Sequence, residues 1–199
     1  MLGAARDQGA RPTCISFATS AAHEVALAND DYLAVEYLHH FAVVRSTGDF
    51  GRGATAPGIA VALEKDGQPP EHECPYGSLA KGCPPGTVHG PIHRRKLAFG
   101  GGTPDDVVQR LSVPRPSILV LRLTESFYKP DAEGRVIPGR ADALVPSLHA
   151  VLAVGHGTDT SGPFVLIRNS WGAGWGLGGH AWIPISYLRK QLLLIGVLE

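Results

Sequence analysis

Residues 168 to 176 read Arg168-Asn169-Ser170-Trp171-Gly172-Ala173-Gly174-Trp175-Gly176, and no other stretch limits so closely what this chain can become. Two further runs belong with it. One is His149-Ala150-Val151-Leu152-Ala153-Val154-Gly155-His156-Gly157, the other Asp7-Gln8-Gly9-Ala10-Arg11-Pro12-Thr13-Cys14. In chain order they supply a glutamine, a cysteine, a histidine and an asparagine. A thiol nucleophile needs a base to take its proton, and the base needs a third group to orient it. Cys14, His149 and Asn169 have the chemistry for those three roles. Alone, a cysteine at a helix start is most often a buried, inert small hydrophobe. The weight therefore rests on joint occurrence.

That set, in that order and spacing, resembles the papain-like cysteine peptidases (peptidase family C1). His149 lies 135 positions after Cys14 and Asn169 lies 155 after it. In the family the corresponding separations are roughly 130–150 residues. The resemblance runs from Arg6 to about Leu188 and is most specific in the Asn-Ser-Trp-Gly-x-x-Trp-Gly run. It implies that Gln8 donates its side-chain amide to an oxyanion hole beside the Cys14 backbone N–H. It also implies that Trp171 covers the His149–Asn169 hydrogen bond. Two departures stand out from the family pattern Cys-Gly-Ser-Cys-Trp. Arg11 replaces the first cysteine, so a familiar disulfide is impossible, and Ile15 replaces an aromatic behind the nucleophile. Neither removes a reacting group, and together they imply an atypical, short, bacterial member.

The element pattern agrees with an α+β chain. Pro12 suits a helix entry, where its missing N–H is harmless. From Cys14 to Ala28 the Ala-rich sequence predicts a mostly buried helix with Cys14 in its first turn. Backbone N–H groups and the dipole at that end favour a thiolate, and by resemblance an imidazolium at His149 favours it further. Helices are also expected over Asp30–Val44, Pro57–Lys65 and from Thr103 to Leu111, the last with Thr103 as cap and Pro104 at its first position. Strands are expected at Ser117–Leu123, Ala150–Val154, Phe164–Arg168, Ala181–Ile183 and Leu192–Val197. Helices first and strands later fit two segregated layers. By resemblance residues 1–199 form one papain-like catalytic domain. About 1–100 are its helical left half and about 101–199 its antiparallel β-barrel right half, with the active-site cleft between them.

Composition narrows the partners. Eighteen basic and 18 acidic residues give a formal charge of zero, so neither nucleic acid nor an anionic membrane is an expected partner. No apolar run reaches the ~18–20 residues of a spanning helix, and the start of the chain has no signal-peptide pattern. The expected location is therefore cytoplasmic, or secreted if the chain is trimmed. The catalytic motif begins almost at Met1, so two expectations stand side by side: a chain trimmed of its pro-segment, or a peptidase restrained another way, with a separate inhibitor or pro-segment as partner. Cys74 and Cys83 can pair or stay reduced, and the missing leader favours reduced thiols. No short C-x-x-C pair supports a metal site.

The expected activity is cysteine-type peptide hydrolysis of peptide or protein substrates through a Cys14-His149-Asn169 triad and a thioester, with no metal or organic cofactor. Two alternatives share the fold. One is an acyl transferase, a transpeptidase or cyclase, which passes the thioester to an amine. The other is a catalytically silent module that grips an extended peptide.

Overall fold

The computed structural model describes residues 2–28, 31–78, 83, 86, 88–113, 115–139 and 141–199. The chain divides into two compact units. One comprises Met1–Gly3, Gln8–Phe99 and Val197–Glu199, the other Ala4–Asp7 and Gly100–Gly196.

The first unit holds helices α1 (Cys14–Ala26), α2 (Val35–Val44) and α3 (Ala56–Lys65), and the short strand β1 (Leu97–Gly100). Ten consecutive residues of α1, Ile15 to Glu24, are buried, so the helix is enclosed all round. Several of its polar side chains are paired. Gln68 Nε2 donates to Ser20 Oγ at 2.7 Å, and Gln68 Oε1 lies 3.2 Å from His23 Nδ1. Glu24 Oε1 accepts from Ser20 Oγ and from the Leu33 N–H, each at 3.1 Å. The helix ends at Ala26, two residues earlier than expected, because Ala28 adopts a left-handed backbone with φ 50°. Helix α2 begins at Val35. Leu33 forms a bridge with Pro70, and the Ala34 N–H donates to Pro69 O at 2.8 Å, which keeps the preceding residues extended. Asp30, where that helix was expected to start, lies outside the described residues. In α3, Thr55 caps the first turn through the Gly58 N–H at 3.2 Å.

One expectation is overturned. Cys74 and Cys83 are joined in a disulfide, with Cα atoms 6.3 Å apart. Both sulfurs are buried among Ala34, Tyr37, Phe41, Val88 and Ile92. The reduced reading rested on the start of the chain, whereas local apposition across a short loop decides pairing.

The second unit is built on an antiparallel ladder of β2 (Ser117–Thr124), β3 (Leu144–Asp159), β4 (Gly162–Arg168), β5 (His180–Pro184) and β6 (Leu192–Leu198). Sheet order is β1-β6-β2-β3-β4-β5; the last residues of β6 group with β1 in the first unit. Helix α4 (Pro104–Leu111) opens with a capping box in which Thr103 and Asp106 satisfy each other's backbone N–H groups. Helix α5 (Ile185–Gln191) and β1 were not foreseen. Strand β2 buries seven of its eight residues, so it carries the core of this unit. Among the described residues no helix is long and apolar enough to cross a membrane.

Candidate active site

His149 owes its position to the ladder. It stands on β3 opposite Leu121 of β2, just before the register shifts between Arg122 and Leu123. Such irregularities re-aim side chains. On the other side of β3, Leu152 faces Arg168, the last residue of β4. Asn169 is therefore the first residue past that strand, and its N–H donates to Gly179 O at 2.9 Å.

His149 and Asn169 are buried, 5% and 3% exposed. His149 Nε2 lies 2.7 Å from Asn169 Oδ1, and the same oxygen accepts from the Ser170 N–H at 2.9 Å. A backbone N–H can only donate, so the asparagine atom is the carbonyl oxygen. It follows that His149 Nε2 carries the proton. In the neutral ring Nδ1 then holds the lone pair. Burial pushes the His149 pKa down to about 4, while the Asn169 hydrogen bond acts in the opposite direction.

An aromatic cage surrounds this pair. Trp171 covers the His149 ring, with centroids 4.7 Å apart and planes tilted by 34°. Phe127, fully buried, lies 5.9 Å from His149 and stacks on Trp175 at 5.3 Å. Tyr128 stacks on Trp171 at 5.1 Å. The segment Ala4–Asp7 belongs to the same unit. Arg168 Nη2 donates to Ala4 O at 2.6 Å, the Gly172 N–H to Arg6 O at 3.1 Å, and Asp7 bridges to Trp171. Gly176 is required here: its φ is +55°, and a Cβ would collide with the His180 carbonyl.

In the first unit Cys14 is the first residue of α1, half-buried and outside any disulfide. Backbone N–H groups at that end favour an anion. Gln8 is 8% exposed, and its Nε2 donates to Arg11 O at 2.8 Å. An amide nitrogen carries two protons; this bond uses one and so orients the other. Arg11, at the position of the absent cysteine, forms a bidentate ion pair with fully buried Glu36, at 2.6 and 3.0 Å. The pair with Glu36 raises the Arg11 pKa further.

The ladder brings His149, Asn169 and Trp171 together, and the segment before α1 brings Gln8 toward Arg11. Sequence reasoning missed Phe127 and Tyr128. Their signal was an aromatic pair three residues beyond the end of β2. It also missed Glu36, the one acidic residue of α2, and Tyr76, which sits in the Cys-Pro-Tyr-Gly loop. Leu148, directly before His149, is 61% exposed.

The family model of papain family cysteine proteases matches residues 119–190, the part that holds His149, Asn169 and Trp171. A cysteine protease of the mite Blomia tropicalis is 24% identical over 191 residues, covering 89% of this chain and 56% of that protein. The chain thus spans little more than half the length of that relative. Ananain of Ananas comosus is 58% identical, but over only 33 residues. Among solved structures, xylellain, a cysteine protease from Xylella fastidiosa, superposes with a TM-score of 0.78 at 22% identity. It covers 99% of this chain and 82% of its own. A cysteine protease of Carica candamarcensis, solved in complex with E-64, gives 0.78 at 22% identity, covering 99% and 92%.

Proposed function

The chain has the papain-like fold, and we propose that it is a papain-family cysteine peptidase that hydrolyses peptide bonds through Cys14, His149 and Asn169. The observation that carries this reading is the buried His149–Asn169 pair, with the proton fixed on Nε2 and Nδ1 left basic.

His149 Nδ1 takes the Cys14 proton. Burial opposes an imidazolium here, so the thiolate is the anion that stabilises it. Cys14 Sγ bonds to the carbonyl carbon, and the π electrons move to oxygen. That oxyanion accepts hydrogen bonds from the Gln8 amide and the Cys14 N–H. The imidazolium gives its proton to the leaving amine, the C–N bond breaks, and a thioester remains. His149 then takes a proton from the water that attacks the thioester carbon, the C–S bond breaks to release the carboxylic acid, and the proton returns from His149 to the Cys14 sulfur. Asn169 holds the ring in one tautomer and orientation throughout. No step calls on a metal or organic cofactor. The partner is an extended peptide or protein segment. The Cys74–Cys83 disulfide favours an oxidising compartment over the cytoplasm.

The test is labelling with a thiol-reactive epoxide in mild reductant, beside digestion of a peptide library by wild type and Cys14→Ala. Stoichiometric label on Cys14 and cleavage lost in the variant are expected. Cleavage that survives Cys14→Ala sinks the assignment. Label without cleavage points to the silent binding module.

A further inference from the structure

We propose that Tyr76 is a positioning residue for this reaction, holding in place the Gln8–Thr13 segment that presents the oxyanion donors; the inference rests on the peptidase reading above. Tyr76 touches both ends of that segment. Its hydroxyl donates to Gln8 O at 2.8 Å and lies 2.9 Å from Thr13 Oγ1. A phenol has one proton. Since that proton goes to the Gln8 carbonyl, Thr13 must donate to the phenol oxygen. The chain is therefore directional, Thr13 to Tyr76 to Gln8, and Thr13 immediately precedes Cys14.

The middle of the segment is tied to the same place. The Arg11 guanidinium lies over the Tyr76 ring, 4.9 Å from its centroid. It is also forked onto Glu36, whose Oε2 accepts from the Gly77 N–H at 3.0 Å. One buried carboxylate thus joins Arg11 to the residue after Tyr76. The Tyr76 N–H donates to Glu71 Oε1 at 2.8 Å, and its ring meets Phe17 of α1 edge-on at 4.7 Å. Gln8 Nε2 closes the arrangement on Arg11 O. Burial raises the phenol's pKa, so it stays a donor at neutral pH. Each link fixes a backbone atom or side chain between the two oxyanion donors, the Gln8 amide and the Cys14 N–H.

A tyrosine that merely packs would use its ring, whereas the positioning role uses its hydroxyl. Tyr76→Phe separates them, because the ring keeps its contacts with Arg11 and Phe17. Thr13→Val, nearly isosteric, removes the other end of the chain. The experiment compares wild type, Tyr76→Phe and Thr13→Val by steady-state hydrolysis of a fluorogenic peptide and by the rate at which iodoacetamide alkylates Cys14. Alkylation reads the thiolate but forms no oxyanion. Tyr76→Phe is expected to lower kcat about 10-fold, less than the ~10²–10³-fold loss of a whole oxyanion donor. KM and the alkylation rate should stay within about twofold, the mark of a transition-state effect. Thr13→Val should move kcat the same way by a smaller factor, and it decides alone if Tyr76→Phe does not fold. Unchanged kcat in an active background overturns the proposal. So does an alkylation rate that falls in step with kcat, since Tyr76 would then act on the thiol or on α1. A wild type without Cys14-dependent hydrolysis overturns the peptidase reading and the proposal together.

Discussion

The Trp171 indole lies over the His149 imidazole at 4.7 Å, on a ring whose Nε2 proton is already held by Asn169 at 2.7 Å. The shield and the orienting bond act on the same group in opposite senses. Burial disfavours the charged ring, and the hydrogen bond favours it.

Removing the shield should raise the His149 pKa. In Trp171→Ala, water reaches the ring, and its pKa should climb from about 4 toward the ordinary value near 6.5. An NMR titration of the ring proton in a Cys14→Ser background checks this without any thiolate contribution. A titration unmoved by the substitution would show that Phe127 and the sheet alone keep the ring dry.

Asn169→Ala should cost less than His149→Ala. In the proposed mechanism the histidine is both acid and base, worth about 10²–10⁴-fold, whereas the asparagine only orients it. Members of one catalytic unit are non-additive, so the double variant should match His149→Ala alone. Steady-state kinetics on the three proteins decides. A larger loss in Asn169→Ala would reverse the roles.

Gln8→Ala should lower kcat and kcat/KM together, by about 10²–10³-fold, with KM nearly constant. Gln8→Glu should be worse, because a carboxylate offers no donor at neutral pH and repels an oxyanion. A rise in KM alone, or only a lower Tm, would make Gln8 a packing residue.

Arg11→Met should destabilise the fold by about 3 kcal/mol, because it leaves Glu36 buried and charged without its partner. The value lies at the low end of the range for broken buried pairs, since the Arg11 side chain is 29% exposed. Urea unfolding of Arg11→Met beside Arg11→Met/Glu36→Leu tests the cause. The double variant should recover much of the loss, and a further loss would refute the unpaired-charge explanation.

Acid should weaken the fold between about pH 6.5 and 4. His23, His39 and His149 are each pushed down to about 4 by burial. An unfolded chain binds those protons near 6.5. Stability is thus fully present above that pH and is lost as pH falls through the folded values. Around His23, His93 and Arg95 add to the depression and Gln68 opposes it. Around His39, Arg11 and His40 add to it and Glu36 opposes it. Thermal melts from pH 7 to pH 4 should show a falling Tm, shallower in His39→Gln. A flat profile would contradict the burial argument.

The His149, Asn169 and Trp171 cluster of the candidate site was legible because its parts are local words. Asn169-Ser170-Trp171-Gly172 follows directly on β4, and Cys14 follows a proline at a helix entrance. The element types were legible for the same reason: periodicity and caps act over a few residues, as at Thr103. What escaped reading depended on distant partners. Nothing near Glu36 announces Arg11, 25 positions earlier, and nothing near Tyr76 announces the carbonyl of Gln8. Helix α2 started late because Leu33 pairs with Pro70, a contact set by the fold and not by local propensity. The Cys74–Cys83 pairing was misread because it was judged from the beginning of the chain and not from the loop that joins the two residues.

That pairing leaves the protein with opposed demands on electrons. As the proposed nucleophile Cys14 works only as a reduced sulfur, while the loop bearing Tyr76 is stapled only while Cys74 and Cys83 are oxidised. A strong reductant protects the first and opens the second, and an oxidant does the reverse. Turnover plotted against the ratio of reduced to oxidised glutathione should therefore be a hump, with its summit where one thiol and one disulfide coexist.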